Sequence, residues 1–189
     1  MKFISSNALK RAQYSRWLSD ITFEAGPDLK EISSYPEAVA IYKSFQSGPG
    51  TMIDDTSLYV FARPDLKPEE IRWNEEALFT AEDLDGTPVR AEVWLATNDG
   101  INITTYQGTT TGIWRKPSVI PDDCGDFDIG LIPDSLGNTE TLYELLKQKT
   151  THGDGFSPRF RACKALEIGM YDTIIKVKDI REWKGPWQK

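Results

Sequence analysis

The chain has 189 residues, 39% of them hydrophobic, with six Trp, seven Tyr and eight Phe. That is enough apolar bulk for a packed core and too much for a disordered chain. A net charge of −7 and a pI of about 4.8 exclude general nucleic-acid binding through phosphates. One histidine and two cysteines exclude most zinc, di-iron and histidine-dependent nucleophilic sites, which need several such side chains at once.

Residues 6–18 read as a helix that Ser6 or Asn7 can cap, with Leu9, Ala12, Tyr14, Trp17 and Leu18 largely on one side. A second helix is expected over 35–47. Ser34 is its N-cap, Pro36 sits in its first turn, Gly48 is at its end, and Ala38, Ile41, Tyr42 and Phe45 form its apolar stripe. Leu58–Ala62 is a short apolar strand, and Lys67–Ile71 reads as a helix start. Residues 89–96 alternate as a strand, Asn98-Asp99-Gly100 signals a turn, and 101–106 returns as the partner strand. The threonine-rich stretch at 110–115 predicts a third strand. Residues 117–137, with three Pro, three Gly and five Asp, read as a long loop. A helix follows over 139–149, capped by Asn138 or Thr139 and carrying Leu142, Leu145 and Leu146. Thr150–Gly155 reads as a mobile loop, and 160–168 and 173–180 read as two strands.

These elements predict a single α+β domain spanning 1–189. In it a mainly antiparallel sheet (58–62, 89–96, 101–106, 110–115, 160–168, 173–180) packs against helices 6–18, 35–47 and 139–149. Met1–Asn7 has no apolar core of a signal peptide, and no apolar run reaches the length of a membrane span. The expectation is a cytoplasmic protein with reduced thiols, no membrane contact and no nucleic-acid partner.

Charge is unevenly spread. Residues 50–144 hold 19 acids against six bases, a net of −13, whereas 1–18 and 156–189 are each +4. The densest cluster is Asp122, Asp123, Asp126 and Asp128. Its spacing does not match an EF-hand loop, and no metal or cofactor is expected. Cys124 lies in acidic surroundings that disfavour a thiolate, and Cys163 reads as a small core residue. No phosphate-binding glycine loop and no GxSxG elbow is present. Glu69, Glu70, Glu75 and Glu76 read as a charged helix face.

Composition resembles that of small acidic inhibitor proteins, such as immunity proteins of bacterial toxin systems or phage anti-defence proteins. The leading expectation is therefore a non-enzymatic acidic module that neutralises a basic site on a partner protein. It would use Asp122, Asp123, Asp126 and Asp128, with Trp183 and Trp187 as an aromatic anchor. The alternative is a small hydrolase or transferase acting on a phosphorylated or nucleotide substrate through His152, Asp154, Arg159 and Arg161.

Overall fold

The computed structural model describes residues 1–122, 124, 127–135 and 137–188, with the backbone but not the side chain of Glu75. Its sheet is built from β1 (Lys2–Ile4), β2 (Thr22–Glu24), β3 (Thr51–Val60), β4 (Pro88–Asn98), β5 (Asn102–Trp114), β6 (Leu131–Pro133) and β7 (Thr173–Lys176). The order is β2-β1-β3-β4-β5-β6, and β7 shares the outer edge of β5 with β6. The pairs β1–β2 and β1–β3 are parallel, and the rest are antiparallel. Between β4 and β5, Asp99 Oδ1 accepts from the N–H groups of Ile101 (2.7 Å) and Asn102 (2.6 Å), and Gly100 adopts φ 93°. That left-handed backbone suits glycine, which has no Cβ to clash.

Helices cover both faces. α1 (Ala8–Ser15) and α6 (Pro158–Glu167) lie on one side, where Phe3, Tyr14, Met52, Val93, Leu95, Ala162 and Cys163 form a core. α2 (Pro36–Ser47) lies on the other, over Ile53, Ala96 and Ile103. A third cluster fills the far end of the long strands. There Leu58, Val89, Ala91 and Trp114 meet α3 (Glu75–Thr80) through Leu78 and α4 (Leu142–Lys147) through Leu142 and Leu146. Strand alternation assigns each residue of β3 to a face: Met52, Asp54 and Thr56 point towards α1 and α6, Ile53 and Asp55 towards α2.

The predicted mainly antiparallel sheet packed against three helices is corrected. The sheet is mixed, with two parallel pairs, and helices sit on both faces. Three short strands, β1, β2 and β6, escaped the sequence reading because three residues carry no periodicity. The predicted strand 160–168 is helix α6. Ser157 caps it by accepting from Phe160 N, and Pro158 occupies its first turn. Residues 173–180 divide into β7 and a short 3-10 turn, Val177–Asp179. The expected strands at 101–106 and 110–115 are one continuous β5. The His152 loop contains a single helical turn, α5 (Thr151–Asp154). Asn7 does cap α1, accepting from Leu9 N at 2.8 Å. Tyr35 rather than Ser34 precedes α2, and Thr141 caps α4 in a reciprocal box with Glu144. Among the described residues, no helix is long and apolar enough to cross a membrane.

Candidate functional site

β1 is too short to accompany β3 along its length. It pairs only with Thr51 and Met52; the chain then turns through Ser5, Ser6 and Asn7 into α1. From Ile53 onward that edge of β3 has no strand beside it, and a cavity of about 340 Å³ opens there. The N-terminal turn of α1 forms one wall, residues 27–31 another, and Ile71 and Arg72 a third. Because the cavity lies at the sheet's edge rather than over one face, consecutive residues of β3 reach it from both faces: Asp54 from one, Asp55 from the other.

Asp54 is 4% exposed and densely partnered. It receives Lys10 Nζ at 3.2 Å, Arg159 Nε at 3.5 Å and a hydrogen bond from the Tyr14 hydroxyl at 3.3 Å. Burial works against its charge, but Lys10 and Arg159 prevail and hold the carboxyl below the usual aspartate range. Burial pushes the Tyr14 phenol well above its ordinary value, so it stays a neutral donor. Arg159, 1% exposed, also lies 3.7 Å from Asp128 and donates to Gln13 (3.2 Å) and Thr56 (3.4 Å). This buried network ties α1, β3 and α6 together.

Asp55 is built differently. Its Oδ1 accepts from Lys43 Nζ at 2.9 Å, and the same ammonium holds Glu31 Oε1 at 2.7 Å. Asp55 Oδ2 is buried and has no hydrogen-bond partner. Burial pushes its carboxyl up to about 6, against the pull of Lys43. Burial would lower the Lys43 ammonium, but Asp55 and Glu31 outweigh it and raise its pKa. The cavity thus presents one fully engaged carboxylate and one with an oxygen to spare. Its wall carries five acids (Asp28, Glu31, Asp54, Asp55, Glu69) against three bases (Lys10, Lys43, Arg72).

The residues singled out from the sequence are dispersed. His152 sits edge-on to Phe156 at 5.1 Å, and Asp154 pairs with Arg16 at 2.7 Å. Arg159 is buried against Asp54, while Arg161 donates to the carbonyls of Gly155 and Thr109. These four do not form one group. Asp122 is exposed, Asp128 is buried beside Gln13 and Arg159, and Asp123 and Asp126 lie outside the described residues. Trp183 is half-buried, with its N–H on the Tyr42 hydroxyl, and Trp187 is 44% exposed. The cleft residues Lys10, Glu31, Lys43, Asp54 and Asp55 were missed. One signal was available: two adjacent acids between the apolar pairs Met52-Ile53 and Leu58-Tyr59, a setting in which a buried charge needs a partner.

No family model matches the sequence, and no curated protein matches it. Two solved structures resemble the fold. The Staphylococcus aureus Ham1 protein superposes with a TM-score of 0.63 at 17% identity, over 90% of this chain and 98% of that one. A nucleoside-triphosphatase, the dITP/XTP pyrophosphatase of Mycobacterium abscessus, superposes with a TM-score of 0.50 at 22% identity, over 88% and 98%. The chain has a Ham1-like fold. The expectation of a non-enzymatic inhibitor or immunity-type module with a basic protein partner is therefore corrected. The scaffold is shared with a nucleotide pyrophosphatase, and the acids at its centre are spent on internal ion pairs rather than displayed to a partner. Of the two expectations, the fold favours the hydrolase alternative.

Proposed function

We propose that the chain hydrolyses a nucleoside triphosphate to the monophosphate and pyrophosphate in the cleft beside β3. The observation that carries this reading is the cleft's make-up: a strand edge without a strand partner, with Asp55 Oδ2 unpartnered, flanked by Lys10 of α1 and Lys43 of α2. Ham1-like architecture supports it, since one neighbour with this fold is a nucleoside-triphosphatase. A helix N-terminus and ammonium groups favour phosphate oxygens, and the position lies beyond the carboxyl end of a parallel strand, where open sheets bind ligands.

With five acids against three bases around it, the cleft would repel a bare triphosphate. A divalent cation resolves the conflict. Among the described residues, no group of three or more His, Cys, Asp or Glu could hold a metal alone. Mg²⁺, however, is usually held by one or two carboxylates together with substrate phosphates. Asp55 and Glu31 fit that role: one has a spare oxygen, and Lys43 aligns both. The ion would neutralise charge on the phosphates and polarise a phosphoryl oxygen. The chain's own groups do the rest. The Lys10 ammonium binds phosphate oxygens, and Lys43 fixes the two carboxylates before substrate arrives. The Asp54–Arg159 pair anchors Lys10 and β3 from behind.

The test is direct. Purified protein is given each common and deaminated nucleoside triphosphate with Mg²⁺, and pyrophosphate and orthophosphate release are measured separately. Pyrophosphate release, lost in Asp55→Asn and Lys10→Ala variants that still melt cooperatively, is the expected result. No turnover of any triphosphate, or release of orthophosphate alone, overturns the reading.

A further inference from the structure

We infer that the C-terminal segment 186–188 is a positioning element of the cleft, acting through Glu31; the inference rests on the pyrophosphohydrolase reading for its kinetic consequence but not for its structural one. Glu31 belongs to the wall 27–33, which leaves the sheet after β2 and has no strand of the sheet beside it. Gln46 of α2 holds the carbonyl of Lys30 at 2.9 Å, and the tail holds the backbone of residues 31–33. Gln188 N donates to Glu31 O at 2.9 Å, Ser33 N donates to Pro186 O at 3.0 Å, and Gln188 Nε2 donates to Ile32 O at 3.2 Å. Ile32 and Trp187 form an antiparallel bridge. The tail in turn rests on α2: Trp183 N donates to the Tyr42 hydroxyl at 3.0 Å, and Trp187 packs edge-on to Tyr42 at 5.8 Å.

Tyr42 precedes Lys43, the residue that joins Glu31 to Asp55. One end of the tail therefore grips the segment that carries Glu31, and the other grips the helix that carries its partner. The Glu31–Lys43 distance of 2.7 Å is bracketed from both sides. The tail's own shape is specified: Trp183 Nε1 donates to Pro186 O at 2.8 Å, and a Cβ on Gly185 would overlap the Trp183 indole. Yet Trp187 is 44% exposed, and its neighbours Gly185 and Pro186 are also exposed. A segment that buries so little contributes modestly to the core, so its specified geometry is best explained by what it holds.

The experiment compares full-length protein, a chain ending at Glu182, and the milder variants Trp187→Ala and Gly185→Val, each alone and combined with Glu31→Gln. Readouts are thermal melting, hydrogen exchange of residues 29–33, calorimetric affinity for inorganic pyrophosphate with and without Mg²⁺, and kcat and KM on the best triphosphate. Truncation should speed exchange at 31–33 and weaken Mg²⁺-dependent pyrophosphate binding by roughly 10- to 100-fold, the usual cost of removing support from a metal-binding group. The melting temperature should fall by no more than roughly 3–5 °C. In the Glu31→Gln background the tail variants should add little further loss, since both remove the same positioned carboxylate. Full additivity with Glu31→Gln, or unchanged pyrophosphate binding once exchange at 31–33 has risen, overturns the inference. If truncation prevents folding, Trp187→Ala and Gly185→Val decide by the same criteria. Inactivity of the full-length protein on every triphosphate, with no measurable pyrophosphate binding, would count against the function alone, because exchange at 31–33 still reports on the tail; unchanged exchange there after truncation overturns the inference.

Discussion

Replacing Arg159 with methionine removes a buried guanidinium and keeps most of its stem. The side chain is 1% exposed and faces two carboxylates, Asp54 at 3.5 Å and Asp128 at 3.7 Å. At an effective dielectric constant of about 20, a pair at such a distance is worth roughly 4–5 kcal/mol before desolvation. Removing one partner of a buried pair typically costs about 3–5 kcal/mol, because the remaining charge stays buried without its compensation. Lys10 still attends Asp54 at 3.2 Å, which argues for the lower half of that range. For a chain of 150–250 residues each kcal/mol moves the melting temperature by about 2–4 °C, so a fall of roughly 6–16 °C is expected. Urea unfolding followed by circular dichroism at neutral pH measures it. A second signature separates electrostatics from lost packing. Arg159 helps to lower the native pKa of Asp54, so it contributes stability above the unfolded carboxyl pKa that is lost as the pH falls through the depressed native value. The gap between native and Arg159→Met protein should therefore narrow on acidification through the carboxylate range, and Asp54→Asn in the variant should recover part of the loss. A loss below about 1 kcal/mol at neutral pH, or a gap that does not narrow in acid, would refute the reasoning.

Asp55 runs in the opposite direction. Its carboxyl is raised to about 6 by burial, so the folded state binds the extra proton between about pH 4 and 6, and stability falls as pH rises through that window. The stability of Asp55→Asn relative to the native protein should therefore rise as the pH goes from 4 to 7 in urea unfolding, with the lost Lys43 contact a cost at either pH. Pyrophosphate release should decline on the acid side with a midpoint near 6, because only the ionised carboxylate offers Oδ2 to a cation; a flat profile from pH 5 to 7 would exclude Asp55 from that role. Gly108→Ala should lower the melting temperature, since the added Cβ would overlap the carbonyl of Pro158 and crowd Ala162 N on α6; overpacking of this kind costs about 1–3 kcal/mol. Cys163 should resist alkylation in the folded protein, with its thiol buried and pushed up to about 12 by burial, and Cys124 should react first.

The long elements were legible because their physics is local. A proline, an apolar stripe and a terminal glycine mark α2, and the hairpin of β4 and β5 follows from alternation and an Asn-Asp-Gly turn. Elements that depend on distant partners were not legible. β1 is three residues long and exists because β2 and β3 flank it on both sides. Helix α6 reads as a strand when its aromatic and apolar residues are counted. The cap, Ser157 followed by Pro158, was the better signal, and the helix face that rests on β5 does so where Gly108 leaves room. Parallel pairing was invisible for the same reason: it joins segments separated by whole helices, and no hairpin signal announces it.

The site was hidden by a misreading of charge. A net of −13 over 50–144 suggested a surface offered to a basic partner. Yet Asp54, Asp55, Glu92 and Asp128 are all buried, and Asp54 and Asp55 are paired with lysines drawn from α1 and α2. Sequence charge counts side chains without knowing which face water, and neutral pairing across the fold cannot be seen until helices from 8–15 and 36–47 are laid on opposite faces of one strand. The +4 N-terminal stretch is informative in this light. Lys10 and Arg16 belong to it, and each ends on a carboxylate far along the chain, at Asp54 and Asp154. Compensation of this kind brings the basic start of the chain to the acidic strand and leaves Asp55 Oδ2 without a hydrogen bond at the edge of the sheet. Were both carboxylates of that strand satisfied internally, the cleft would be only a structural gap; the unpartnered Asp55 Oδ2, costly to keep in a buried place, is what argues that something with a positive charge completes it.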